Sequence, residues 1–306
     1  VAGPRQLVDA PAFTPSPYGL LSVVETPSTA GAHWQNGVTW PSLCPDFSRA
    51  TYDECIIVTG SGGSPPEPSV KTANVGMVFR GATPFTAYAR FNCATVGNDA
   101  AIETARAALT QTEGYQVERS FWTGLVDGIT GVFPHLAANA QVVDANGIVL
   151  QTVASPVVTG TTPLDVATGI GLLEQALADC FGGVGVLHMP TKLLPTLDAI
   201  GLLRVVNSRN VGTGQFDRQL QTLNGNLVAV GPGYPGTSPS GAAPTSTSTW
   251  VYATGPVFMR RTDVKINPLN QSINRQTNNV EMIAERTYVL GFDCCHLAVP
   301  IALGTP

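Results

Sequence analysis

Catalysis needs nucleophiles, proton carriers or metal ligands at workable spacings, and in this chain those residue types are scattered. The four histidines, His33, His135, His188 and His296, fall in different segments, and none has HExxH or paired-cysteine spacing, so no metal site is expected. Cys294-Cys295-His296 is the one cluster, but adjacent residues on a strand point to opposite faces, so it reads as small residues in a terminal strand. GSGG and GPGYPG lack the Gly-Lys-Ser/Thr ending of a phosphate loop, and there is no G-x-S-x-G elbow. Glu113 and Glu118 share a predicted helix but lie about 140° apart around its axis, so they do not face each other as acid and base. No catalytic residue and no cofactor is expected, and the chain does not read as an enzyme.

Other residues suggest contact rather than chemistry. Glu113 and Arg119 are candidates for contacts between subunits. His33, Trp34 and Trp40 lie in a strand-like ribbon, where uncovered aromatics would promote aggregation. Cover by a neighbouring subunit and packing on the same chain both remain open for them.

Composition narrows the classes. The 306 residues are 43% hydrophobic and only 12% charged, too apolar for disorder and short of the charge that keeps a surface free of neighbours. A net charge of -5 and three dispersed lysines (Lys71, Lys192, Lys265) argue against nucleic-acid recognition as the main role. No apolar run is long enough to cross a membrane, and VAGPRQLVDAPAF lacks the layout of an export signal. The six cysteines are therefore expected to be mostly reduced and buried, with Cys44–Cys55 the best disulfide candidate.

The elements that must position these residues follow in order. Residues 1–30 hold five prolines and read as an extended arm with a short strand at Gly19 to Val24. Residues 31–96 read as a long antiparallel ribbon, in which Phe85, Ala87, Ala89 and Phe91 share a face. A long helix is predicted over 98–122, with one row through Ala101, Ala105, Ala108, Thr112 and Tyr115, an adjoining row through Ile102, Ala105 and Leu109, and charge opposite. A hairpin turns at Asn146-Gly147. A second helix is predicted from an N-cap at Thr162, with an apolar stripe of Val166, Ile170, Leu173, Leu177 and Cys180, ending at Gly182-Gly183. VGVLHMP is a buried strand, TKLLPTLDAIGLL a short helix, and LQTLNGNLVAV a hairpin about Asn224-Gly225. Residues 231–249 read as a flexible loop and TWVYATGPVFMRR as one strand; VEMIAERTYVLGF and HLAVPIAL close the chain. The fold class is α+β without a βαβ repeat.

The run PFTAYARFNCATVG with AIETARAALTQTEGYQVERSFWTG resembles major capsid proteins of actinobacteriophages. So do GLLEQALADCFGGVGVLHMP, LQTLNGNLVAVGPGYPG, WVYATGPVFMRR and AERTYVLGFDCCHLAVPIAL. These proteins have the Hong Kong 97-like fold of tailed phages. The resemblance implies an N-terminal arm (1–30), an extended loop (31–96), a peripheral domain (97–159) with a spine helix at 98–122, an axial domain (160–255) and return strands of the peripheral domain (256–306). It implies a subunit that assembles with copies of itself into hexamers and pentamers of an icosahedral head, located in the virion and built in the bacterial cytoplasm. The head would enclose double-stranded DNA without reading its sequence, with portal and cement proteins as further partners. Some members crosslink a lysine of the extended loop, where Lys71 falls, but no partner for it can be identified. An encapsulin-like compartment shell is the alternative on the same fold, and a secreted adhesive or carbohydrate-active protein the alternative off it.

Overall fold

The computed structural model describes residues 13, 16–25, 32–42, 57–58, 67–68, 78–93, 98–209, 216–267, 273–274 and 279–304. The Cys44–Cys55 pair, Lys71, most of the arm and much of the ribbon lie outside them.

Two sheets and two helices carry the core. The larger sheet has seven strands in the order Ser155–Pro156, His296–Ala302, Ser248–Thr254, Val186–Pro190, Leu227–Gly231, Phe216–Thr222 and Leu203–Arg209. Val186–Pro190 is buried along its whole length, as its composition predicts. Helix α2, Val166–Phe181, lays Val166, Ile170, Leu173 and Leu177 on this sheet, together with Leu193 and Leu197 around helix α3, Leu194–Ala199. The second sheet is built on the long strand Asn279–Phe292, which pairs with Val257–Arg261, Lys265–Ile266, Ile273–Asn274 and Pro84–Cys93. Helix α1, Asn98–Thr123, packs on Pro84–Cys93 and Asn279–Phe292 and is about 39 Å long.

The two sheets share one ribbon. Ser248–Thr254 pairs with His296–Ala302 in the larger sheet, and Val257–Arg261 continues the pairing with the end of Asn279–Phe292 in the other. TWVYATGPVFMRR is thus two strands, not one. It breaks at Gly255-Pro256, where proline offers no N–H to the ladder and a Cβ on residue 255 would collide with the Asp293 carbonyl. Opposite, the other strand of the ribbon turns through Cys294 at φ 61°.

Other expectations change for physical reasons. Gly19 to Val24 is not a strand: Leu20–Ser22 forms a 3-10 turn that plugs Leu20 and Val23 into the core. Val38–Pro41 and Phe79–Ala82 pair as a ribbon, but Pro84–Cys93 leaves it for a ten-residue ladder with Asn279–Phe292, burying Phe85 and Ala87. Helix α2 begins after Asp165, whose side chain accepts from the Thr168 N–H; Thr162 is not the cap, because Leu164 still exchanges backbone bonds with Pro300 and Ala302. The helix ends at Gly182, in the left-handed region. The buried line on α1 runs through Ala101, Ala105, Leu109, Glu113, Val117 and Phe121, while Thr112 and Tyr115 are exposed. A four-residue step turns about 40° too far each time, so this line winds around the helix. The helix accordingly faces a twisted sheet at one end and a loop at the other.

The cysteines are not mostly reduced. Cys180 on α2 and Cys295 are joined in a disulfide with a sequence separation of 115, and Cys294 is also disulfide-bonded. The two are not in the terminal strand as expected: they lie in the turn before His296–Ala302, where each is disulfide-bonded.

Candidate functional site

Polar groups gather on the inner line of α1. Glu113 is 9% exposed and accepts from Arg286 Nη1 at 3.0 and 2.8 Å and from the Tyr288 hydroxyl at 2.6 Å. Burial, with the Glu113 carboxylate beside it, raises the Tyr288 phenol above its ordinary range. The charged face expected at Glu113 therefore turns inward, onto the long strand of its own chain. A carboxylate on the apolar line is tolerated because a cation and a hydroxyl replace its water.

One turn further, Glu118 is 2% exposed. It accepts the Leu20 N–H on Oε1 at 3.0 Å and the Gly233 N–H on Oε2 at 2.9 Å. Gly19, Gly231 and Gly233 close around it: a Cβ on Gly19 would collide with Oε1, and one on Gly231 would stand 2.6 Å from Oε2. Burial pushes the carboxyl up to about 7, against the pull of the two backbone bonds. Glu113 and Glu118 both border a cavity of about 500 Å3 that Leu21, Tyr115, Arg218 and Arg261 also line. They do not form an acid–base pair, since each is held by different partners.

Trp122 fixes the same loop. Its Nε1 donates to Thr237 Oγ1 at 2.9 Å, and its ring sits 5.0 Å from Tyr234 and 4.8 Å from Tyr252. The first half of the loop predicted to be flexible, 231–238, is thus held against α1.

Three of the four histidines are core groups. His188 is wholly buried between the Tyr234 hydroxyl at 3.2 Å and Thr254 Oγ1 at 3.0 Å; burial and the nearby His296 hold it down to about 3. His296 donates from Nε2 to the Leu136 carbonyl at 2.7 Å, and burial holds it down to about 4. His135 Nδ1 lies 2.9 Å from the Val132 carbonyl. His135 and His296 brace backbone carbonyls and His188 bridges two side-chain hydroxyls, and among the described residues no group of three or more possible ligands is placed to hold a metal.

The five residues expected at contacts do not form one site. His33 is exposed and Trp34 half-buried on a 3-10 turn, Ala32–Asn36. Trp40 packs within the chain, its ring 4.9 Å edge-on from Phe258. Arg119 is exposed on α1, with Nη1 3.4 Å from the Tyr115 hydroxyl. Sequence reasoning missed the Glu118 clamp. Its one legible signal was glycine recurring in GPGYPG, with no hint of what lay against it.

The polar groups along α1 are thus held by other parts of the same chain, and the comparisons concern its fold. No family model and no curated protein matches the sequence. Among solved structures, the capsid of a native GTA particle computed with C5 symmetry matches at TM-score 0.54 and 11% identity, covering 99% of this chain and 96% of the other. The capsid of an empty GTA particle matches at 0.53 and 13%, with 99% and 96% covered. A chain from Microbacterium phage Oxtober96 matches at 0.50 and 13%, with 98% and 95% covered. The chain has a phage-type capsid fold along nearly its whole length. No helix of the described residues is long and apolar enough to cross a membrane.

Proposed function

We propose that the chain is a major capsid subunit, assembling with copies of itself into the hexamers and pentamers of an icosahedral phage head around double-stranded DNA. The observation that carries this is the near-complete, two-way coverage of capsid chains of GTA particles, 99% of this chain and 96% of the other. A shared domain within a different protein would cover only part of one partner. The low charged fraction, 12%, supports it, because a surface with few charges favours contact with neighbours. In this reading 1–30 is the arm, 31–96 the extended loop, 97–159 the peripheral domain, 160–255 the axial domain and 256–306 the return strands. The mechanism is geometric: one fold occupies several positions in a closed shell, with His33, Trp34 and Arg119 offered to neighbours. Portal and cement proteins are further partners, and the virion is its location.

The test is the size of the purified protein by light scattering and electron microscopy. Closed shells are expected, and a stable monomer at micromolar concentration overturns the reading. Enclosed nuclease-protected DNA distinguishes a phage head from a compartment shell on the same fold.

A further inference from the structure

We propose that the seating of segment 16–25 and loop 231–238 on α1 is linked to proton binding at Glu118, so that the N-terminal segment sits more firmly in mild acid than in mild alkali. The geometry is that of a carboxyl sealed by two pieces of chain remote from it in sequence. Segment 16–25 reaches it through the Leu20 N–H and loop 231–238 through the Gly233 N–H, with glycines where any side chain would strike the carboxyl group. With these pieces lifted, Glu118 would lie on an open helix face in water. With them seated it keeps only two N–H donors in place of a full hydration shell, so the charged form loses more than the neutral one. The rise to about 7 agrees with this. A group that binds protons more tightly when covered favours the covered state as pH falls.

The surrounding ionisable groups are Tyr18 on the segment, Tyr234 on the loop, Glu113, Tyr115 and Arg119 on α1, and Arg218 and Arg261 on neighbouring strands. Tyr234 is raised well above its ordinary value by burial, with Glu118 adding to the rise, so it stays neutral across this range. His188, which contacts Tyr234, is held down to about 3. The change between pH 5.5 and 8.5 is therefore assigned to Glu118. The segment is also tied to both sheets, by Tyr18 to Val230, Ser22 to Gln219, and Glu25 to Val257 and Met259, so the response is a loosening of a plug and not its loss.

This proposal concerns the chain itself and stands or falls apart from what the chain assembles into. The test is hydrogen exchange of the full-length protein from pH 5.5 to 8.5, corrected for the intrinsic rate, in peptides covering 16–25 and 229–238. Protection there should fall by about tenfold or more as pH rises, relative to peptides of α2, which should stay level. Glu118→Gln should remove the pH dependence, and Glu103→Gln, at an exposed position of α1, should retain it. A level wild-type profile overturns the proposal without any variant, and so does an unchanged slope in Glu118→Gln.

Discussion

Glu113 and Arg286, 173 residues apart, meet with both carboxylate oxygens within 3.0 Å of one guanidinium nitrogen, at the midpoint of the buried line of α1. The pair straps the helix to the strand that organises the second sheet. Removing one partner leaves the other buried and unpaired, so Glu113→Ala or Arg286→Ala should each cost about 3 kcal/mol in urea unfolding. Glu113→Leu combined with Arg286→Met should cost less than either single change. Additive losses would show that the contact contributes nothing to stability.

Two glycines near the cavity should respond in opposite directions. A Cβ on Gly233 would strike the Tyr115 carbonyl, whereas one on Gly114 meets nothing within 4 Å. Gly233→Ala should lower stability by about 2 kcal/mol, while Gly114→Ala should raise it by about 1 kcal/mol through helix propensity. Thermal unfolding of the two variants checks both signs.

The winding line on α1 separates two alanines that sequence alone would treat alike. Ala105 is fully buried and Ala108 only partly so. Ala105→Leu should overpack the helix against the sheet and cost about 2 kcal/mol, and Ala108→Leu should be milder. Equal yields of folded, assembled protein from both would contradict this placement of α1.

The Cys180–Cys295 bond ties α2 to the joint between the sheets across 115 residues. Loss of the constraint on the unfolded chain should cost up to about 5 kcal/mol in the Cys180→Ala, Cys295→Ala double variant. The wild type should lose thermal stability in dithiothreitol, and the double variant should lose less.

Acid should act on the core through two opposed effects. His188, held down to about 3, and His296, held down to about 4, are neutral in the fold, while unfolded imidazoles titrate near 6.5. Their contribution is therefore complete above about pH 6.5 and is lost as pH falls toward 4. Glu118, raised from 4.5 to about 7, contributes most below pH 4.5, and that contribution is lost as pH rises through about 7. Urea midpoints from pH 4 to 8 should decline on the acid side, and Glu118→Gln should steepen the decline. An acid limb no steeper in that variant would sink the assignment.

What the sequence determined by itself was local. The extent of α1, the stripe and glycine stop of α2, the turns at Asn146-Gly147 and Asn224-Gly225 and the buried strand Val186–Pro190 each depend on residues within a few positions of one another. The resemblance of ordered segments reached the capsid fold for the same reason, since the order of elements survives when identity falls to 11–13%. The tertiary structure decided what depends on distant parts of the chain. Glu113 looked like surface charge until Arg286 and Tyr288 arrived on a strand more than 170 residues away. Glu118 looked like its twin until an arm and a loop closed over it. Cys180 and Cys295 gave no sign of each other, and Gly255-Pro256 read as strand interior until two sheets required a joint there. Periodicity records which side of an element is apolar, but not which remote partner makes a buried charge tolerable.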